Sequence, residues 1–199
     1  MSGINLGKDG QTPVTVNGTT GEAYPDRAVA LHLEIPENKS ATVNIINIFE
    51  QDGDSPIIEF TGEGFSAVKC LADGKEVVFA DYIAENNIDT KLPLVGNYSG
   101  SGVNISFKSI ENGVVNFYAP VFTGIKYRIA KNISDYEKEF NSFITGYNNV
   151  NVVFSCNCIL NFLYGGLEGK SIDVFAGPIT FGEIAYQLVN QTLVYVVVE

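Results

Sequence analysis

Hydrophobic positions along this chain recur mostly with a period of two or in short unbroken runs, the pattern of strands rather than of helices. Two runs stand out. One is Val150-Asn151-Val152-Val153-Phe154, leading into Ser155-Cys156-Asn157-Cys158; the other is Leu193 to Val198, opened by Asn190-Gln191-Thr192. Both are short, rich in Val and bounded by polar or Gly/Pro residues, so they read as buried central strands. Ala28 to Glu34 sets Val29, Leu31 and Leu33 against Ala30, His32 and Glu34, a half-buried strand pattern. The turn-like Pro36-Glu37-Asn38-Lys39-Ser40 then joins it to Thr42–Phe49 in an expected hairpin.

Shorter strands fill the middle of the chain. Pro13 to Val16 is a strand candidate inside an arm, residues 1–27, that is rich in Gly, Thr and Asn. Ile57–Phe60, a strand ending near Leu71, and Glu76–Phe79 follow, the last two joined by Asp73-Gly74. Asn112-Gly113 joins segments near Val103–Ile110 and Val114–Phe122 in a hairpin. Gly96 to Gly102 lacks the Gly-Lys-Ser/Thr ending of a phosphate loop and reads as a flexible surface loop.

Helical periodicity is confined to three places. Phe79, Tyr82, Ile83 and Asn86 share one face of a short helix. Ser134 and Glu137 have capping-box spacing ahead of an apolar face made of Tyr136, Phe140, Phe143, Ile144 and Tyr147, with Gly146 near the C-terminal end. A second short helix is expected over Glu183–Val189. The fold class that follows is α+β, with largely antiparallel or mixed β-sheets and a few covering helices. A single globular domain over residues 1–199 is expected, long enough to be bilobed, with no internal repeat and no low-complexity linker.

Charge narrows the function classes. Twelve Lys and Arg against 23 Asp and Glu give a net charge of −11, a field that weighs against nucleic acid and anionic membrane surfaces as partners. No run reaches the roughly 20 apolar residues of a membrane span, and Met1-Ser2-Gly3-Ile4 lacks a charged-then-apolar leader pattern, so a cytoplasmic protein is expected. Three cysteines and a single histidine fit a reduced protein without a disulfide framework, a metal or a cofactor.

Several of these segments occur together, and in the same order, in a known family. Asp73-Gly74-Lys75 before Asp81-Tyr82, Leu92-Pro93-Leu94, the helix from Ser134, the strand end at Ser155-Cys156, Phe181-Gly182-Glu183-Ile184 and Asn190-Gln191-Thr192 together resemble the C-terminal half of FIST sensory proteins. The likeness spans residues 65–199 and is concentrated in the last fifty. Asn157-Cys158-Ile159 stands where that family often carries a Gly-Arg pair. The resemblance implies an intracellular sensory module for a small ligand of amino-acid type, with no established catalytic activity. A signalling protein or a second copy of the chain is the partner it leaves open.

The candidate chemistry sits where the two long strands end. Cys156 and Cys158 fall on one face of a strand, and packing is favoured over a functional thiol. Zinc needs about four ligands, and the others, Cys70 and His32, are distant in sequence. A Cys/His nucleophile would have to recruit His32, which lies on the polar side of its strand. Glu183 follows Gly182 at an expected helix start, where a carboxylate serves either a ligand or the helix dipole. Thr180 and Asn190 are open to ligand-binding or structural use. The site expected is Cys156, Asn157, Thr180, Gly182 and Glu183, binding a small polar metabolite without catalysis. An enzyme pairing Glu183 with a cysteine, and a structural or interaction protein without a pocket, are the alternatives.

Overall fold

The computed structural model describes residues 14–28, 30, 32–146, 151–170 and 174–199. The start of the Pro13 strand candidate, Val29 and Leu31 of the Ala28–Glu34 alternation, Tyr147 of the helix face and Val150 of the central run lie outside the described residues.

Turn chemistry builds the first half. Asp73-Gly74 closes Lys69–Ala72 onto Lys75–Val78, and Asn112-Gly113 closes Phe107–Glu111 onto Val114–Val121. The segment expected as a flexible loop, Gly96–Gly102, is instead a third hairpin: Leu94–Tyr98 pairs with Ser101–Ile105 around Ser99-Gly100. Reading Gly and Ser as flexibility missed that Val103 and Ile105 alternate onto one buried face with Leu94, while Val95 is buried on the other. These elements form a six-stranded sheet with Ile58–Glu59 and Tyr127–Ile129, and a three-stranded sheet with Gly64–Ala67. Helix α1, Phe79–Glu85, buries Phe79 and Ile83, as its periodicity predicts. Their common core is aromatic, with Phe60 meeting Phe79, Phe117 and Tyr127 edge-on at centroid distances of 5.6, 5.8 and 5.4 Å.

The second half is a four-stranded sheet in the order Ile179–Thr180, Val152–Cys158, Leu193–Val198, Ala41–Ile46. The first pair is parallel and the other two are antiparallel, so the fold is α+β with antiparallel and mixed sheets. Both long apolar runs are central strands, as their composition predicts. Helices α2, Tyr136–Thr145, and α3, Ile159–Tyr164, complete the described helices. Phe140 and Ile144 of α2 pack with Ile46, Leu167, Leu193 and Tyr195 into a second core. No helix among the described residues is long and apolar enough to cross a membrane.

Three local expectations are overturned. Ala30 and His32–Glu34 form no strand, and Leu33 is 66% exposed. The partner assigned to that segment, Ala41–Ile46, pairs with the chain's last strand instead. The turn delivers Ser40 against Glu199, with reciprocal backbone hydrogen bonds of 2.9 and 3.0 Å. A more apolar strand from the far end of the sequence has won the contest. The N-cap of α2 is Asp135 rather than Ser134: its carboxylate accepts from the Lys138 amide at 3.0 Å, filling the role one residue later. Phe143, expected on the buried face, is 42% exposed, because the stripe that meets the sheet is only as wide as Phe140 and Ile144.

Phe140→Ala should therefore cost about 3–5 kcal/mol in denaturant unfolding. Phe143→Ala should cost less than about 1 kcal/mol, and equal losses would show that the helix face is drawn wrongly.

Candidate functional site

Period-two alternation sorts the side chains at the end of Val152–Cys158. Cys156 lies opposite Val194 and packs with Ala185 and Val189, whereas Ser155 and Asn157 lie opposite Tyr195 and Leu193, which belong to the core under α2. Beside this strand runs Ile179–Thr180, with Asn157 against Ile179 and Cys158 against Thr180. Gly177 lets it approach: a Cβ there would sit 1.7 Å from the Ser155 carbonyl oxygen, so no other residue fits without moving the backbone.

The helix expected over Glu183–Val189 is a hairpin, Glu183–Ala185 against Gln187–Val189, turning at Tyr186. The burial pattern is that of a strand, with Glu183 at 2%, Ile184 at 64% and Ala185 at 3% exposure. Gly182 enters the hairpin at φ +95° and Tyr186 turns it at φ +63°, a conformation that costs a non-glycine residue energy. One face of the hairpin closes over Cys156 and Val194, and Tyr186 at its tip is 88% exposed.

Glu183 points into that closed face. Thr180 Oγ1 donates to its Oε1 and Thr192 Oγ1 to its Oε2, each at 2.9 Å. No Lys, Arg or His side chain among the described residues pairs with it. Burial pushes its carboxyl from 4.5 up to about 8, against the two hydroxyls, which favour the charged form. The Thr180 hydroxyl also lies 3.4 Å from the Asn157 carbonyl oxygen. Glu183 and the Asn157 backbone are thus one hydroxyl apart.

The expected site is therefore brought together only in part. Thr180, Gly182, Glu183, Cys156 and Cys158 converge, but Asn157 contributes its backbone. Its side chain turns to α3, where Asn157 Oδ1 accepts from Asn161 Nδ2 at 3.1 Å, and Asn157 Nδ2 is buried without a partner. Burial, followed by the charge of Glu183, pushes both thiols up to about 11, so they stay protonated at neutral pH. His32 is exposed, whereas both thiols are buried. Among the described residues no three His, Cys, Asp or Glu side chains gather as metal ligands.

What the sequence reading undervalued is the polar network running outward from this point. Gln191 Nε2 donates to Tyr136 Oη at 3.4 Å, Tyr136 donates to Asn161 Oδ1 at 2.5 Å, and Asn161 donates to Asn157. On its other side Gln191 Oε1 accepts from Ser106 Oγ at 2.7 Å. Asn190 accepts from the Ser106 amide at 3.0 Å and donates to the Asn104 carbonyl at 2.7 Å; Asn104 and Asn47 exchange amide hydrogen bonds of 3.0 Å. Asn190 caps no helix. The signal available in the sequence was the run of three polar residues at the mouth of an otherwise apolar strand. Of four surface clefts of about 220 to 660 Å³, the largest lies between Asn47, Lys131, Asp135 and Phe143, and the smallest reaches the outside of the hairpin at Gln187 and Leu188.

Comparison with known proteins adds a family without adding an activity. The chain matches the profile of DUF6976, described as a family of unknown function, over residues 1–199. No curated protein and no solved structure matches the chain.

The geometry at Glu183 makes stability depend on pH with a definite sign. A carboxyl raised from 4.5 to about 8 in the folded state binds its proton more tightly there, so its stabilising contribution is full below pH 4.5 and lost as pH rises through 8. The wild type should lose up to about 1.4 kcal/mol per pH unit in that window relative to Glu183→Gln. Parallel pH profiles of the two proteins in urea unfolding would contradict it.

Proposed function

We propose, for a chain that belongs to DUF6976 and takes no activity from that membership, that it binds a small polar metabolite at Glu183 without transforming it. The observation that carries this reading is a buried glutamate, 2% exposed, with two hydroxyl partners and no cationic one among the described residues. A buried acid without a counter-ion costs the fold several kcal/mol, a cost that a purely structural Gln or Leu would avoid. A ligand ammonium or other hydrogen-bond donor supplies the missing partner. The resemblance of residues 65–199 to FIST sensory proteins points the same way, to an intracellular sensory module taking a ligand of amino-acid type.

Entry to the carboxylate runs through the Glu183–Val189 hairpin. It forms a two-stranded sheet of its own, and only one of its faces is covered. Such an element sits at the low-stability end of a fold and opens locally. The raised thiol pKa values speak against a nucleophilic cysteine, and so against the enzyme alternative.

A second reading is favoured by one observation: the cluster is closed in this conformation, as expected of a structural polar knot. The two readings part on a thermal-shift screen of free amino acids and small amines against the wild type and Glu183→Gln. The binding reading expects an active compound to stabilise the wild type, by about 2.7 kcal/mol at 100 times its dissociation constant. It expects binding to tighten as pH rises toward 8, and the stabilisation by ligand to vanish in Glu183→Gln, whose unliganded melting temperature at neutral pH should be no lower than that of the wild type. A screen in which no amine or amino acid shifts the wild type leaves the structural reading standing.

A further inference from the structure

Among the described residues, no strand pairs with the outer side of Ala41–Ile46 in the four-stranded sheet. Ala41–Ile46 is the last strand in its order, paired with Leu193–Val198 on one side only. The phase of that pairing follows from the reciprocal bonds between Ser40 and Glu199. Antiparallel ladders alternate hydrogen-bonded and non-hydrogen-bonded pairs, so Thr42, Asn44 and Ile46 aim their backbone groups inward. The N–H and C=O groups of Ala41, Val43 and Ile45 aim at the free edge, and no described residue bonds to them.

We infer that this edge is a self-association surface, through which two copies of the chain pair antiparallel about a two-fold axis. Four observations favour a second copy as the occupant. The strand Ala41-Thr42-Val43-Asn44-Ile45-Ile46 contains no charge, Pro or Gly, the devices by which sheet edges are kept apart. It does so in a chain of net charge −11, where copies repel elsewhere and a neutral edge is the place of closest approach. Val43 and Ile45 lie opposite Val196 and Val194, on the same face as Phe154, and Ile45 and Phe154 are 39% and 41% exposed. The free-edge groups are also self-complementary. With Val43 opposite the partner's Val43, Ala41 falls opposite the partner's Ile45, all of them with edge-directed groups, giving about six new backbone hydrogen bonds. Extended through residues 37–49, the same register sets Lys39 against the partner's Asn47 and opposes no two like charges. The result is a continuous eight-stranded sheet across an isologous interface.

Sedimentation equilibrium of the full chain at tens of micromolar should give twice the chain mass. Val43→Pro removes an N–H that the fold does not use, and Ile45→Lys places a charge on the edge; both should sediment at the single-chain mass with the wild-type circular dichroism spectrum. Should Val43→Pro fail to fold, Ile45→Lys decides. Val43→Cys tests the register, since paired Cα atoms would lie about 5.5 Å apart, within disulfide range. It should form a covalent dimer under mild oxidation, while Ile45→Cys, opposite the partner's Ala41, should not. A wild type that stays at single-chain mass at every concentration overturns the inference, as it would if the edge served a strand of another protein. So does a dimer that survives both substitutions, or a dimer in which Val43→Cys does not cross-link.

Discussion

The antiparallel pairing of Val152–Cys158 with Leu193–Val198 is the constraint from which the rest of the C-terminal half follows. Both strands are covered on two faces toward their facing ends, which is why they read as unbroken apolar runs and why any polar group there must find a partner inside the protein. One face is covered by α2 and α3, and the other by the Glu183–Val189 hairpin. Glu183 enters this apolar setting with two threonine hydroxyls and, among the described residues, no cation. Its raised pKa and the protonated state of both cysteines are consequences of the same burial.

The two halves of the molecule are joined there by polar contacts as well as by packing. Ser106, at the break between the Ser101–Ile105 and Phe107–Glu111 strands, bonds to both Asn190 and Gln191. Buried amide networks of this kind are costly when half made and rigid when complete. Among the described residues the amide groups of this network find partners from Asn47 through to Asn161, and Asn157 Nδ2 at its end does not.

Much of this was legible in the sequence, and the failures have physical causes. The two central strands, α1 and the Asp73-Gly74 and Asn112-Gly113 turns rest on local chemistry, which a single sequence displays. The pairing of Ala41–Ile46 with the last strand depends on a contest between distant segments, which local alternation cannot judge. Glu183–Val189 was misread because Glu, Ala, Gln and Leu are good helix formers, whereas the in-out burial of Glu183, Ile184 and Ala185 exists only once the sheet lies beneath them. Glu183, Thr180 and Gly182 were nonetheless identified as one neighbourhood. Asn157 was assigned to it by proximity in sequence, but strand alternation carries its side chain to the opposite face.

That same alternation explains why Asn190-Gln191-Thr192 has to be irregular. A regular strand would send Asn190 and Thr192 to one face and Gln191 to the other, all along one straight edge. Here Gln191 adopts φ +53°, a left-handed conformation that costs a non-glycine residue energy and persists only where its surroundings hold it. Its side chain, 1% exposed, is held by the Lys91 carbonyl, Tyr136 and Ser106. The bend lets three consecutive side chains reach three different elements: Asn190 the Ser101–Ile105 strand, Gln191 helix α2, and Thr192 the carboxylate of Glu183. The backbone strain at Gln191 is thus the condition under which one short segment both joins the two cores and presents a hydroxyl to the buried acid.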